Sequence, residues 1–237
     1  MRESVFRFKQ FNVQNKLSAM KVGTDGVLIG AWCDINDVKG SILDIGAGTG
    51  LISLMVAQRC KAMITAVEID AIASNEANEN IRNSQWNERI SLVNVPFDEF
   101  VKNCNIKFEH IVSNPPFYEN GLQSPNIGRT LARHTSSLSY NELLSGAKSL
   151  LSQTGRISII TPFDAKDTIT NIATDNGLMI AKMTVVYPTP LAIPKRILWE
   201  FSFMSTATTT DDLIIEIERH KYSAKYIELT KEFYLKM

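Results

Sequence analysis

Four consecutive residues, Asn114-Pro115-Pro116-Phe117, bring together a side-chain carbonyl, main-chain carbonyls stiffened by proline, and an aromatic ring. That set suits one task, holding a planar amino group. The amino group of adenine is a poor nucleophile because its lone pair is delocalised into the ring. Methylating it requires both N–H bonds to be held while the lone pair is turned toward the methyl donor. The Asn114 side-chain carbonyl can accept one N–H. The Pro115 carbonyl can accept the other, because the residue after it has no N–H and the segment is stiff. Phe117 can stack on the base face, a contact worth about 1–3 kcal/mol. Asn114, Pro115 and Phe117 are the candidate catalytic residues, and positioning, not a tuned base, would supply the rate. A base paired or stacked in a helix must first be splayed out to reach them. The same residues could hold a glutamine side-chain amide, so they specify a planar NH₂ nitrogen and not adenine alone. A rigid Pro-Pro turn after a strand is the bland alternative.

A second constellation lies upstream. Leu43-Asp44-Ile45-Gly46-Ala47-Gly48-Thr49-Gly50 joins an apolar run to a helical segment. Glycines at 46, 48 and 50 let the main chain turn sharply and approach a ligand with no Cβ in the way. An acidic residue about 20 positions on, Glu68 in Ala66-Val67-Glu68-Ile69-Asp70, completes the context of a nucleotide-binding loop. Its carboxylate can accept both ribose hydroxyls of an adenosine ligand, and Ile69 offers the adenine an apolar face. The Gly-x-Gly-x-Gly spacing, with Asp44 just before it, differs from the dinucleotide pattern and resembles the cofactor loop of class I methyltransferases. Asp98, in Val95-Pro96-Phe97-Asp98, stands where such enzymes hold the adenine amino group; a helix N-cap is its structural alternative.

The elements that must position these residues are visible from about residue 41 onward. Strand candidates are 41–46, 63–69, 89–95, 110–114, 156–161, 179–187 and 197–204, and helix candidates are 51–59, 71–83, 98–103, 140–151 and 164–176. Short apolar strands alternating with helices predict a mostly parallel sheet covered on both faces. The last two strands follow one another without a helix, which predicts an antiparallel pair joined by the Pro-rich loop 187–196. The expected fold class is α/β: a class I methyltransferase Rossmann-like fold with seven strands, one of them antiparallel. Residues 1–40 and 205–237 flank this core as extensions of one domain spanning 1–237. The first holds an apolar stretch, Val27–Cys33, with Asp25 as a candidate N-cap. Its Phe6, Phe8 and Phe11 read as the buried face of a short strand.

The chain has 237 residues, with 25 Lys and Arg balanced by 25 Asp and Glu. Neutrality speaks against a broadly basic nucleic-acid binder, but phosphate contact needs basic surface only locally. Lysines and arginines gather at both ends, at Arg2, Arg7, Lys9, Lys16 and Lys21 and at Arg219, Lys221, Lys225, Lys231 and Lys236. A solvated face is the favoured reading of either cluster taken alone. No apolar run reaches the roughly 20 residues that span a bilayer, and the start lacks a signal peptide's apolar stretch. Cys33, Cys60 and Cys104 are odd in number and lack metal-ligand spacing, so they read as ordinary cytosolic thiols, with no metal expected.

Taken with Phe6-Arg7-Phe8-Lys9-Gln10-Phe11, Met20-Lys21-Val22-Gly23-Thr24-Asp25-Gly26, Ala132-Arg133-His134 and Leu229–Leu235, the two constellations resemble the bacterial tRNA1(Val) adenine-37 N6-methyltransferases over essentially the whole chain. The resemblance implies a cytoplasmic enzyme that uses S-adenosylmethionine to methylate the 6-amino group of the adenine beside the anticodon of a valine tRNA. It implies target-base roles for Asn114, Pro115 and Phe117. It implies cofactor contacts from Asp44, Gly46, Gly48, Gly50, Glu68, Ile69, Asp98 and Asn114, with Lys21, Thr24, Asp25 and Gly26 closing over the methionine end. The polar stretch 119–139 would order around substrate, making Arg129, Arg133 and His134 candidate RNA contacts, and Lys195 and Arg196 could touch phosphate. A monomer is expected. Other readings stay open: a protein-glutamine N-methyltransferase acting on a release factor, a DNA adenine methyltransferase, a NAD-dependent oxidoreductase, and a non-catalytic RNA-binding protein on the same fold.

Overall fold

The computed structural model describes residues 5–18, 21–116, 138–204 and 207–236. In chain order the strands are β1 (Val5–Arg7), β2 (Asn12–Gln14), β3 (Ser41–Ile45), β4 (Met63–Val67), β5 (Ile90–Val93), β6 (Phe108–Ser113), β7 (Leu151–Pro162), β8 (Met179–Tyr187), β9 (Arg196–Ser202), β10 (Thr209–Ile214), β11 (Glu216–Glu218) and β12 (Lys221–Tyr222). The helices are α1 (Thr24–Trp32), α2 (Leu51–Arg59), α3 (Ala71–Arg82), α4 (Phe97–Asn103), α5 (Tyr140–Leu150), α6 (Lys166–Asp175) and α7 (Ala224–Thr230). The central sheet runs β10-β8-β9-β7-β6-β3-β4-β5. In this sheet β9 is antiparallel to both neighbours and the other paired strands are parallel, while β1–β2 and β11–β12 form separate antiparallel pairs.

The class I methyltransferase architecture is therefore as expected, with one antiparallel strand, but the sheet has eight strands where seven were expected. The eighth, β10, comes from the C-terminal segment and pairs parallel with β8, from Thr209 opposite Lys182 to Ile214 opposite Tyr187. Its residues 209–212 are exposed, and Leu213 is its one deeply buried side chain. A strand lying at a sheet's rim has little apolar alternation to announce it.

Alternation in β3 divides the core between the two faces. Ile42 packs with Leu54, Val56 and Leu28 on the side of α1 and α2. Leu43 and Ile45 pack with Phe97, Leu143, Leu144 and Ile159 on the side of α4 and α5. The N- and C-terminal segments complete the first layer: Phe8 and Phe11 are buried and stack on one another at 4.6 Å, Phe8 meets Tyr234 near the chain's end, and Phe11 meets Trp86. Phe6 is more open, at 37 % exposure.

Helix α1 begins two residues earlier than a cap at Asp25 requires. Gly23 is the N-cap and supplies no side-chain bond, while Asp25 lies in the first turn. The Asp25 carboxylate is engaged elsewhere, accepting from Arg196 Nε at 2.9 Å and so tying α1 to the start of β9. Asp98 likewise is not a cap, because Pro96 precedes α4 in that position and Asp98 pairs with Lys102 one turn on.

Candidate active site

The parallel strands β3, β4, β5 and β6 end on one edge of the sheet, and the crevice outside that edge is where an open α/β sheet binds ligands. Here it is a cleft of about 680 Å³.

Its floor is the glycine loop after β3. The N–H groups of Gly46 and Ala47 both donate to the Val67 carbonyl, at 2.9 and 3.0 Å, which pins the loop to the end of β4. Gly46 and Gly48 adopt left-handed conformations with φ of 72° and 56°. A Cβ on either would meet no protein atom within 4 Å, and both border the cleft. The loop thus turns where an L side chain is strained and leaves its main chain bare toward the open space. Gly50 also has a positive φ, but it caps α2, and a Cβ there would lie 3.5 Å from the Ala77 side chain, away from the cleft lining.

Glu68 is buried and both its oxygens are engaged. Oε2 accepts from Gly48 N at 2.7 Å and Oε1 from Asp70 N at 2.8 Å. The acidic follower thereby shapes the loop 20 residues before it while presenting its carboxylate along the cleft wall. Ile69 beside it is 48 % exposed, its apolar face open to the cleft. Asn94 fixes this corner from β5's exit by donating to the carbonyls of Glu68 and Ile69. The opposite wall carries Val95, Phe97, Asp98 and Lys102 of the α4 region and Glu142 and Gly146 of α5. Lys102 beside Asp98 holds that carboxyl below its ordinary value. Four acids, Glu68, Asp70, Asp98 and Glu142, face one lysine across the lining, so the cleft favours a cationic ligand.

Asn114 stands at the far end. Just before it, the Ser113 hydroxyl donates to the Ile45 carbonyl at 2.8 Å, locking the exits of β6 and β3 together. Asn114, Pro115 and Pro116 all line the cleft. The Asn114 Oδ1 is buried and has no hydrogen-bond partner among the described residues. A buried acceptor left unmatched costs about 1–3 kcal/mol, and a ligand N–H arriving there would relieve it.

Asp44 lies beneath the loop and not on the lining. It points to the α2 side, accepting from Ser53 Oγ at 2.6 Å, with Oδ1 unmatched among the described residues. Burial pushes its carboxyl up to about 7 against the lowering effect of Ser53, with Glu68 adding to the rise.

The structure therefore brings Gly46, Gly48, Glu68, Ile69, Asp98, Asn114 and Pro115 to one cleft. It sets Lys21, Thr24, Asp25 and Gly26 outside the cleft lining. Lys21 reaches back to the carbonyls of Asn15 and Lys16, and Gly26 is buried against Leu51. Arg196 is joined to Asp25, and Lys195 is exposed, with its main chain paired to Val186 and Phe163. Phe117, Arg129, Arg133 and His134 lie outside the described residues. Sequence reasoning did not single out Ser18, Asn94, Ser113, Glu142 or Gly146. Only Glu142 left a signal, the Ser139-x-x-Glu142 capping box that starts α5.

This fold and this cleft define a class I methyltransferase. The methyltransferase small domain family matches residues 27–166. A tRNA1(Val) (adenine(37)-N6)-methyltransferase of Bacteroides fragilis is 46 % identical over 100 % of both chains. One of Trichodesmium erythraeum is 43 % identical over 98 % of each. Among solved structures, a predicted O-methyltransferase, protein Atu636 of Agrobacterium tumefaciens, aligns with a TM-score of 0.69 at 20 % identity, covering 88 % of this chain and 96 % of that one. That likeness concerns the fold alone. The full-length relatives settle the family: the chain belongs to the tRNA1(Val) (adenine(37)-N6)-methyltransferases.

Proposed function

We propose that the chain transfers a methyl group from S-adenosylmethionine to the exocyclic N6 of an adenine in tRNA, adenine 37 beside the anticodon of tRNA1(Val). The observation that carries this is the buried, unmatched Asn114 Oδ1 at the end of a cleft floored by bare glycine backbone. The names of the full-length relatives support the acceptor.

The cleft fits the cofactor on two counts. Its acidic lining suits a ligand bearing a sulfonium and an ammonium, and Gly46 and Gly48 leave room that a side chain would fill. S-adenosylmethionine bound there supplies an electrophilic methyl group. Gly46 and Gly48 would border its methionine moiety, Glu68 its ribose, Ile69 one face of its adenine and Asp98 the adenine amino group. Asp44 and Gly50 would act indirectly by shaping the loop. At the far end Asn114 and Pro115 would accept the two N–H bonds of the target amino group, turning its lone pair into the cleft, with Phe117 stacked on the base. Arg129, Arg133, His134 and Lys195 are proposed for tRNA contact. The enzyme would act in the cytoplasm as a single-domain monomer without a metal ion. No helix among the described residues is long and apolar enough to cross a membrane.

The test is Asn114→Ala. Losing one of two orienting acceptors should lower methyl transfer to tRNA about 100-fold or more. Binding of S-adenosylhomocysteine by calorimetry should stay within about threefold, because the glycine loop and Glu68 are untouched. Turnover equal to wild type would remove the proposed role of Asn114.

A further inference from the structure

The segment before the first helix reaches the cleft at its last described residue there, Ser18, which borders it together with Gly48, Glu68, Asp70 and Ala73. Nothing in its sequence, Gln14-Asn15-Lys16-Leu17-Ser18, explains why it lies there. Its one strongly apolar side chain, Leu17, is 68 % exposed. What holds it is α3. The Glu76 carboxylate, itself buried, accepts three successive main-chain N–H groups: Lys16 and Leu17 at 2.6 Å each on Oε1, and Ser18 at 2.8 Å on Oε2. One turn further along α3, Asn80 accepts from Gln14 N at 2.7 Å and donates to Gln14 O at 3.0 Å and Thr49 O at 2.9 Å. Thr49 belongs to the glycine loop, so Asn80 ties the segment and the loop to the same helix.

A carboxylate buried on a helix and coordinated by consecutive amides resembles the way a protein grips an anion, here turned inward on its own chain. Three charge-assisted bonds fix the backbone of a segment in which Lys16 and Leu17 are exposed and only Ser18 is buried. We propose that Glu76 is a positioning residue for cofactor binding: by clamping residues 16–18 it sets the wall of the cleft beside Gly48 and Glu68. This rests on the cleft being the S-adenosylmethionine site.

Glu76→Gln keeps the shape of the side chain but replaces one acceptor oxygen with an N–H₂ group that faces a donor. At least one of the three amides then loses its partner. Leu17→Pro deletes the middle N–H from the other side at a position whose side chain is exposed, and it also fixes φ there and restricts Lys16. Each variant should weaken S-adenosylhomocysteine binding at least tenfold by calorimetry and raise KM for S-adenosylmethionine in parallel, with kcat and KM for tRNA within about threefold. Amide hydrogen exchange should accelerate at Lys16–Ser18 in Glu76→Gln and at Lys16 and Ser18 in Leu17→Pro, and trypsin should cut Glu76→Gln faster after Lys16. Thermal midpoints should stay within a few degrees. Wild-type cofactor affinity in a folded Leu17→Pro protein would overturn the proposal, even if Glu76→Gln failed to fold. Wild-type protein that binds no S-adenosylhomocysteine would instead overturn the cofactor assignment beneath it.

Discussion

At the scale of single residues, the cleft is organised by carboxylates whose partners are main-chain amides. Glu68 grips Gly48 and Asp70, and Glu76 grips residues 16–18. The type and place of Glu68 were legible in the sequence, because a loop of three glycines and an acid about 20 residues later is a spacing with a mechanical cause. Glu76 was not, because its partners lie 58 to 60 residues away and are backbone groups that any sequence carries. Asp44 offers a test of the ground beneath the loop. Its carboxyl, raised by burial to about 7, binds a proton more tightly in the folded chain than in the unfolded one, where about 3.9 is ordinary. The stabilisation linked to that proton is full below about pH 4 and is lost as pH rises through about 7. Asp44→Asn stays neutral throughout. Relative to wild type it should gain about 2–3 kcal/mol of unfolding free energy between pH 5 and pH 8. Urea unfolding at both pH values measures this; a difference that does not change with pH would show that Asp44 is not held protonated.

At the scale of elements, the apolar period of the strands and helices from residue 41 onward was sufficient to place β3 to β9 and α2 to α6 within two residues, except that β7 starts at Leu151, five residues before the expected Arg156. The eighth strand escaped because a rim strand with an exposed Thr-Thr-Asp-Asp start lacks the alternation that marks burial. The packing of α1 on α2 was also illegible, since it depends on glycines that look like flexible positions in the sequence. Gly30 is buried in α1, and a Cβ there would lie 2.8 Å from Met55 Sδ and 3.2 Å from Met55 Cβ of α2. The helices approach because that atom is missing. Gly30→Val should force them apart and lower stability by about 1–3 kcal/mol, read as a lower urea midpoint. Because Met55 sits one turn beyond the start of α2, cofactor affinity should fall less than stability does. A variant as stable as wild type would mean that the methionine yields freely and the close approach carries no energy.

At the scale of the whole molecule, charge balance gives no hint of an RNA partner, and the acids of the cleft point to a cationic cofactor instead. The ends of the chain meet: Lys9 N donates to Phe233 O at 2.8 Å, and Phe8 forms a bridge with Tyr234. The terminal segments, which looked like additions to the core, are therefore packed into one layer of it. Likeness to the relatives likewise extends over the whole chain and not only over residues 27–166. The acceptor is where sequence chemistry reaches its limit, because Asn114 and Pro115 define a planar amino group, and adenine and glutamine both carry one. The most direct measurement is transfer of a radiolabelled methyl group from S-adenosylmethionine to unmodified tRNA, with purified peptide release factor in parallel, followed by nucleoside analysis. The account predicts label in tRNA as N6-methyladenosine at position 37 of tRNA1(Val), absent with Asn114→Ala. Label in the release factor, or in neither while the cofactor still binds, would contradict it.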